Sequence, residues 1–190
     1  EDVPRATQVV DTLRRIENER ATETANRLEA RLLSIGSGTE EAINFLEQLA
    51  TGAEATLRDQ IILLRARLST GDIEAALKLA QSLVQEQPDN PNLRFALATT
   101  QQVNGDLTGA EETLRALLEE DAARPPVWLA LSRILNQQGN TEAATNAIEE
   151  GLSTSPEDPN LLWAKATVLE RSGDIDGAIA IYQSLYDRNP

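Results

Sequence analysis

Glycine returns every 34 residues along this chain, at positions 71, 105, 139 and 173. Each copy sits in the same short pattern. Asn104-Gly105-Asp106-Leu107-Thr108-Gly109-Ala110 recurs as Thr70-Gly71-Asp72-Ile73-Glu74-Ala75-Ala76, as Gln138-Gly139-Asn140-Thr141-Glu142-Ala143-Ala144, and as Ser172-Gly173-Asp174-Ile175-Asp176-Gly177-Ala178. Alanines 76, 110, 144 and 178 keep the same step, and Ala42 lies one step further back. A fixed period of this length predicts stacked repeats, in which each unit buries its apolar face against its neighbour.

The pattern has a local mechanical meaning. Glycine takes the left-handed backbone that closes a helix without a Cβ clash. Asp72, Asp106, Asn140 and Asp174 then offer a side-chain oxygen to the free N–H groups that open the next helix. Each unit is expected to be helix A, a tight turn and helix B. The alanine one turn into helix B lets the two helices approach closely. Pro91, Pro125 and Pro159 are also 34 apart and suit a first helical position, with Asn90 and Asp158 as caps before them. Upstream, the periodicity predicts a leading helix near 4–18 and a degenerate first repeat whose helix A ends near 35. One continuous helix through 35 is the alternative. Helix B of that repeat is expected at about 39–51, ended by Gly52.

Composition narrows the chemistry. Aromatics are only 3% of the 190 residues, so the core must be mostly Leu, Ala, Ile and Val, which suits helices. The formal charge of −14 disfavours nucleic acid and anionic membrane surfaces. With no cysteine and no histidine, thiolate and imidazole metal sites and histidine-based nucleophilic catalysis are excluded. The longest aliphatic run, Ile61-Ile62-Leu63-Leu64, is far too short to span a bilayer. Asp174-x-Asp176 has the start of a calcium loop without its remaining ligands, and reads as a helix cap. No cofactor is expected.

The repeats resemble the tetratricopeptide repeat family over roughly residues 23–190. Trp128, Leu131 and Ser132 match the family's helix A signature, as Leu97-Ala98 does in part. Ala178 and Tyr182 match its helix B signature, which Ala110/Leu114 and Ala144/Ile148 follow with aliphatics. Trp163 stands one place later than the family's tryptophan, and Lys165 stands where a leucine is usual, which implies a slightly rotated or shifted last helix A. The acidic composition and the Gly-Asp turn resemble repeat proteins of bacteria.

The resemblance implies an all-α solenoid of antiparallel helix-turn-helix repeats in a right-handed superhelix. Residues 1–22 are expected to form an N-terminal leading helix, followed by a degenerate repeat at 23–56 and repeats at 57–90, 91–124, 125–158 and 159–190. It further implies a non-catalytic scaffold that binds a peptide or protein along the concave face of the A helices. The residues so placed are Ile61, Arg65, Phe95, Thr99, Leu129, Arg133, Trp163 and Thr167, with Leu68, Gln102, Asn136 and Glu170 leaning inward one turn later. The Lys/Asn clamp by which some members hold acidic chaperone tails is absent. Ile61 and Leu129 suit plain packing between A helices better than ligand contact, Phe95 and Trp163 suit either, and Trp128 belongs to the core. Ile179, Tyr182, Leu185 and Tyr186 make the last helix B a poor polar cap, which implies a continuing array or self-association through that face. An accessory role beside a catalytic domain elsewhere is a further alternative.

Overall fold

The computed structural model describes residues 12, 15, 39–52 and 55–188. The expected leading helix and first helix A lie outside the described residues. Among those described there are nine α-helices and no strand. They are α1 (Thr39–Thr51), α2 (Leu57–Thr70), α3 (Ile73–Glu86), α4 (Pro91–Val103), α5 (Leu107–Glu120), α6 (Pro125–Gln137), α7 (Thr141–Thr154), α8 (Pro159–Ser172) and α9 (Ile175–Arg188). The chain divides into two compact units, Glu1–Leu79 and Ala80–Pro190, with the boundary inside α3.

The turns form as the sequence dictates. Glycines 71, 105, 139 and 173 have φ of 81, 82, 84 and 89°. After each, the acid or amide side chain accepts a bond from the N–H three residues on. Asp106 takes Gly109 N–H at 3.0 Å, Asn140 takes Ala143 at 3.2 Å, and Asp174 takes Gly177 at 3.0 Å. Asp72 takes Ala75 at a longer 3.4 Å. The apparent calcium-loop start at Asp174 is therefore a cap. Replacing Gly139 with alanine, which must hold a left-handed backbone there, is expected to cost about 1–2 kcal/mol in urea denaturation. A loss under a few tenths would show that the turn relaxes.

Pro91 and Pro159 open α4 and α8 behind Asn90 and Asp158, whose side chains bond N–H groups of the first turn. Pro125 opens α6 without a side-chain cap, because Arg124 stands at that position. In the first unit, Thr56 and Asp59 cap α2 reciprocally: Asp59 N–H donates to Thr56 Oγ1, and Thr56 N–H donates to Asp59 Oδ2 at 3.0 Å. Such a box is worth about 1 kcal/mol. Helix α1 packs on α2 through Leu46, Ala50 and Leu63, with Ile43, Phe45 and Leu49 around them. The side chain of Ala42 lies outside the described residues.

In the second unit, α4/α5, α6/α7 and α8/α9 form antiparallel hairpins. Successive hairpins stack through α5 on α6 and α7 on α8, and the A helices α4, α6 and α8 lie side by side. Ala110, Ala144 and Ala178 are buried here, as Ala76 is in the first unit, so all four take the close-approach positions. Leu114, Leu117, Val127, Leu131, Ile134 and Leu161 fill the core.

The expected rotation of α8 is not found. Leu161 and Ala166 are buried at the places of Val127 and Ser132 in α6, and of Leu93 and Ala98 in α4. Small and aliphatic residues at those positions fix the register. Trp163, one residue past the inward position, consequently lies 59% exposed, whereas Trp128 is 8% exposed.

Trp128 and the residues around it show how repeats of one plan differ inside. Its Nε1–H donates to the Ala122 carbonyl at 2.8 Å. The equivalent position one repeat earlier is Arg94, whose guanidinium forks onto Glu120 at 2.6 and 2.5 Å. That hydrogen bond holds the Glu120 carboxyl below its ordinary pKa. Opposite Trp128 stands Gly151, where the other repeats have Leu83, Leu117 and Leu185. A Cβ on Gly151 would lie 2.9 Å from both Cβ and Cγ of Trp128 and 3.1 Å from Leu161 Cδ1. The indole therefore fits only because the facing helix gives up a side chain.

Candidate functional site

The side-by-side A helices place Phe95 and Thr99 on α4, Leu129 and Arg133 on α6, and Trp163 and Thr167 on α8 at equivalent positions of one unit. Ile61 and Arg65 occupy the equivalent positions on α2, within the first unit: Ile61 is half-buried and Arg65 exposed. Phe95 and Leu129 are partly buried and pack against the core, so much of their area already serves the fold. Trp163 is free over most of its surface. Its ring tilts against Tyr182 with centroids 4.8 Å apart and planes at 58°, a contact that steadies the indole. Tyr182 in turn donates its hydroxyl to Glu170 at 2.9 Å. Glu170 is thus engaged with α9, contrary to its expected inward lean.

A cavity of about 170 Å³ opens between α6 and α8 over α7. Leu129, Arg133 and Asn136 line it from α6, Thr167, Val168 and Arg171 from α8, and Ala144 and Ile148 from α7. Three of the expected site residues, Leu129, Arg133 and Thr167, are brought together there, while Phe95, Thr99 and Trp163 lie outside its lining.

Its hydrogen-bonding capacity is uneven. Ser132 Oγ donates to the Ala144 carbonyl at 2.8 Å, Thr145 Oγ1 to Thr141 at 3.0 Å, and Thr167 Oγ1 to Trp163 at 3.0 Å. Thr99 likewise donates to Phe95 O at 2.9 Å. These hydroxyls have spent their protons on backbone carbonyls. Among the described residues the ion pairs are Arg67–Glu47, Lys78–Glu74, Arg94–Glu120, Arg115–Glu111 and Arg188–Glu157. Arg133 and Arg171 take part in none of them, and no carboxylate lines the cavity.

Arg171 was missed by the sequence reading. The signal was available: 163, 167 and 171 continue one face at steps of four, whereas the inward row was extended by three to Glu170.

Residues 67–134 match one model of the tetratricopeptide repeat and residues 129–190 match another, so that together they cover well over half of the chain. The chain belongs to the tetratricopeptide repeat family. Its fold is an all-α helical repeat solenoid, and its family supports a general role as a protein-interaction scaffold. Several solved structures share the fold. MamA of MSR-1 is 19% identical with a TM-score of 0.56, covering 88% of this chain and 98% of that one. MamA 41-end from Desulfovibrio magneticus RS-1 is 14% identical with a TM-score of 0.62, covering 86% and 93%. MamA of AMB-1 is 18% identical with a TM-score of 0.54, covering 90% and 95%. Comparison with curated proteins gives no match. In this tetratricopeptide repeat chain, no helix among the described residues is long and apolar enough to cross a membrane.

Proposed function

We infer that this chain is a non-catalytic scaffold that binds a peptide or peptide-like segment of a partner protein along its A helices, with the second unit as the main platform. The observation that carries this reading is the cavity between α6 and α8, which gathers Leu129, Arg133 and Thr167. Trp163, tilted against Tyr182 and exposed on the same helix as Thr167 and Arg171, supports it as a preformed aromatic anchor. Rigid, amphipathic indoles are favoured at binding hot spots, where a single truncation commonly costs more than tenfold in affinity. Phe95 and Thr99 extend the reading to α4 in the same unit, while Ile61 and Arg65 hold the equivalent positions on α2 of the first unit. The net charge of −14 directs it to protein partners rather than nucleic acid or anionic lipid.

The test is a selection of peptides from a displayed random library, followed by calorimetric titration of the selected sequences. Trp163→Ala and Leu129→Glu are expected to weaken binding at least tenfold, while Glu149→Gln on an exposed position of α7 leaves it unchanged. Selected peptides that bind all four proteins equally would remove the A-helix surface as the site.

A further inference from the structure

We propose that the groove between the B helices α5 and α7 docks a basic segment of a partner protein, taking one Lys or Arg side chain with its cation between Glu119 and Glu150. This surface is separate from the α6–α8 cavity and does not rest on the A-helix reading. It is a cavity of about 400 Å³ lying over α6. Leu118 from α5, with Trp128 and Leu131 from α6, forms an apolar floor, and Glu119 and Glu150 line it from α5 and α7. Both acids are exposed, and neither joins an ion pair among the described residues. Arg115 also lines the groove, but its Nε–H donates to Glu111 at 2.9 Å.

The neighbouring repeats carry their own cations at the equivalent places. Arg94 holds the position of Trp128 and pairs with Glu120. Downstream, Lys165 holds the position of Leu131 and Arg188 that of Thr154, and Arg188 pairs with Glu157 at 3.6 Å. In the α5–α7 groove none of these three positions is basic, so its two acids are left to a cation from outside. The floor decides what kind of cation. A Lys or Arg stem lies along apolar surface while its charged head stays at the polar rim. The volume of 400 Å³ corresponds to about thirteen waters at roughly 30 Å³ each, room for that stem and an aliphatic neighbour. A bare ammonium ion would leave the floor uncovered. The formal charge of −14 draws basic segments towards the chain from a distance.

The experiment titrates the full ¹⁵N-labelled chain, at low ionic strength, with two probes. One is Ac-Ala-Leu-Ala-Ala-Lys-Ala amide, and the other is the same peptide with norleucine for lysine. The lysine peptide is expected to shift the amide signals of Glu119, Ala122, Glu150 and Thr154, and to bind about fivefold more tightly than its neutral twin. Added salt should shrink that preference. Glu119→Gln and Glu150→Gln should each cut it about twofold or more. Glu149→Gln removes the same charge one residue away from the lining and should leave it unchanged, as should Trp163→Ala. Ser153→Lys, which sets a cation inside the groove as the neighbouring repeats do, should abolish it. Equal binding of the two peptides, shifts that avoid the groove, or a preference that survives both glutamine substitutions overturns the proposal. So does n-butylammonium binding as tightly as the lysine peptide, since the floor then contributes nothing. Library-selected peptides that depend on Trp163 test the A-helix surface separately, so either reading can fail alone.

Discussion

Truncation of Trp128 to alanine is expected to destabilise the chain by about 3–5 kcal/mol, a large fraction of the stability of an ordinary domain. The indole is 8% exposed and belongs to the core shared by α4–α8. The facing residue is Gly151, so nothing on α7 can move in to fill the space. Loss of the Nε1–H bond to Ala122 adds little, since Thr154 Oγ1 also donates to that carbonyl, at 3.0 Å. Urea denaturation followed by far-UV circular dichroism measures the change. A loss below 1 kcal/mol would mean that the hairpins close over the cavity, and that the indole is an ornament of the core.

The second large effect runs the other way. Gly151→Leu adds four carbons where even a Cβ stands 2.9 Å from the root of Trp128. The atoms in the way are Cβ and Cγ, which cannot swing aside without moving α6. Overpacking of this kind costs about 1–3 kcal/mol and sometimes more. The upper end is expected here, against a helix-propensity gain of about 1 kcal/mol on leaving glycine. In a Trp128→Leu background the sign should reverse, because the pair then matches Leu162 and Leu185 of the last repeat. A double-mutant cycle should return a coupling of about 2 kcal/mol or more. Additive effects would show that the two positions do not share one space.

Most of the fold was legible in the sequence because its devices are local. A positive-φ glycine, a capping acid and an opening proline act within four residues, so each copy of the motif states its own geometry. The buried alanines were legible for the same reason, being tied to the turn by a fixed offset. What failed was inference from size alone. Trp163 suggested a turned α8, yet the register is held by Leu161 and Ala166, and the bulky ring takes whatever direction remains. The candidate site was half legible. Leu129, Arg133 and Thr167 line one cavity, but the third turn is ambiguous because 3.6 residues lie between steps of three and four. Asn136 on α6 follows the first step and Arg171 on α8 the second. The Gly151 exception was in plain view as a break in the Leu83, Leu117, Leu185 series, but it acquires meaning only when Trp128 is seen across from it.

That reciprocal fit between α6 and α7 bears on how an array of this type can be rearranged genetically. A crossover at a proline boundary moves Trp128 and Gly151 as one cassette, and the recombinant inherits a matched pair. A crossover at a Gly-Asp turn separates them, setting an indole against leucine in one product and leaving glycine opposite a guanidinium in another. Duplications and deletions that survive should therefore begin and end at the prolines, even though the turns are the better conserved landmark from copy to copy within this chain.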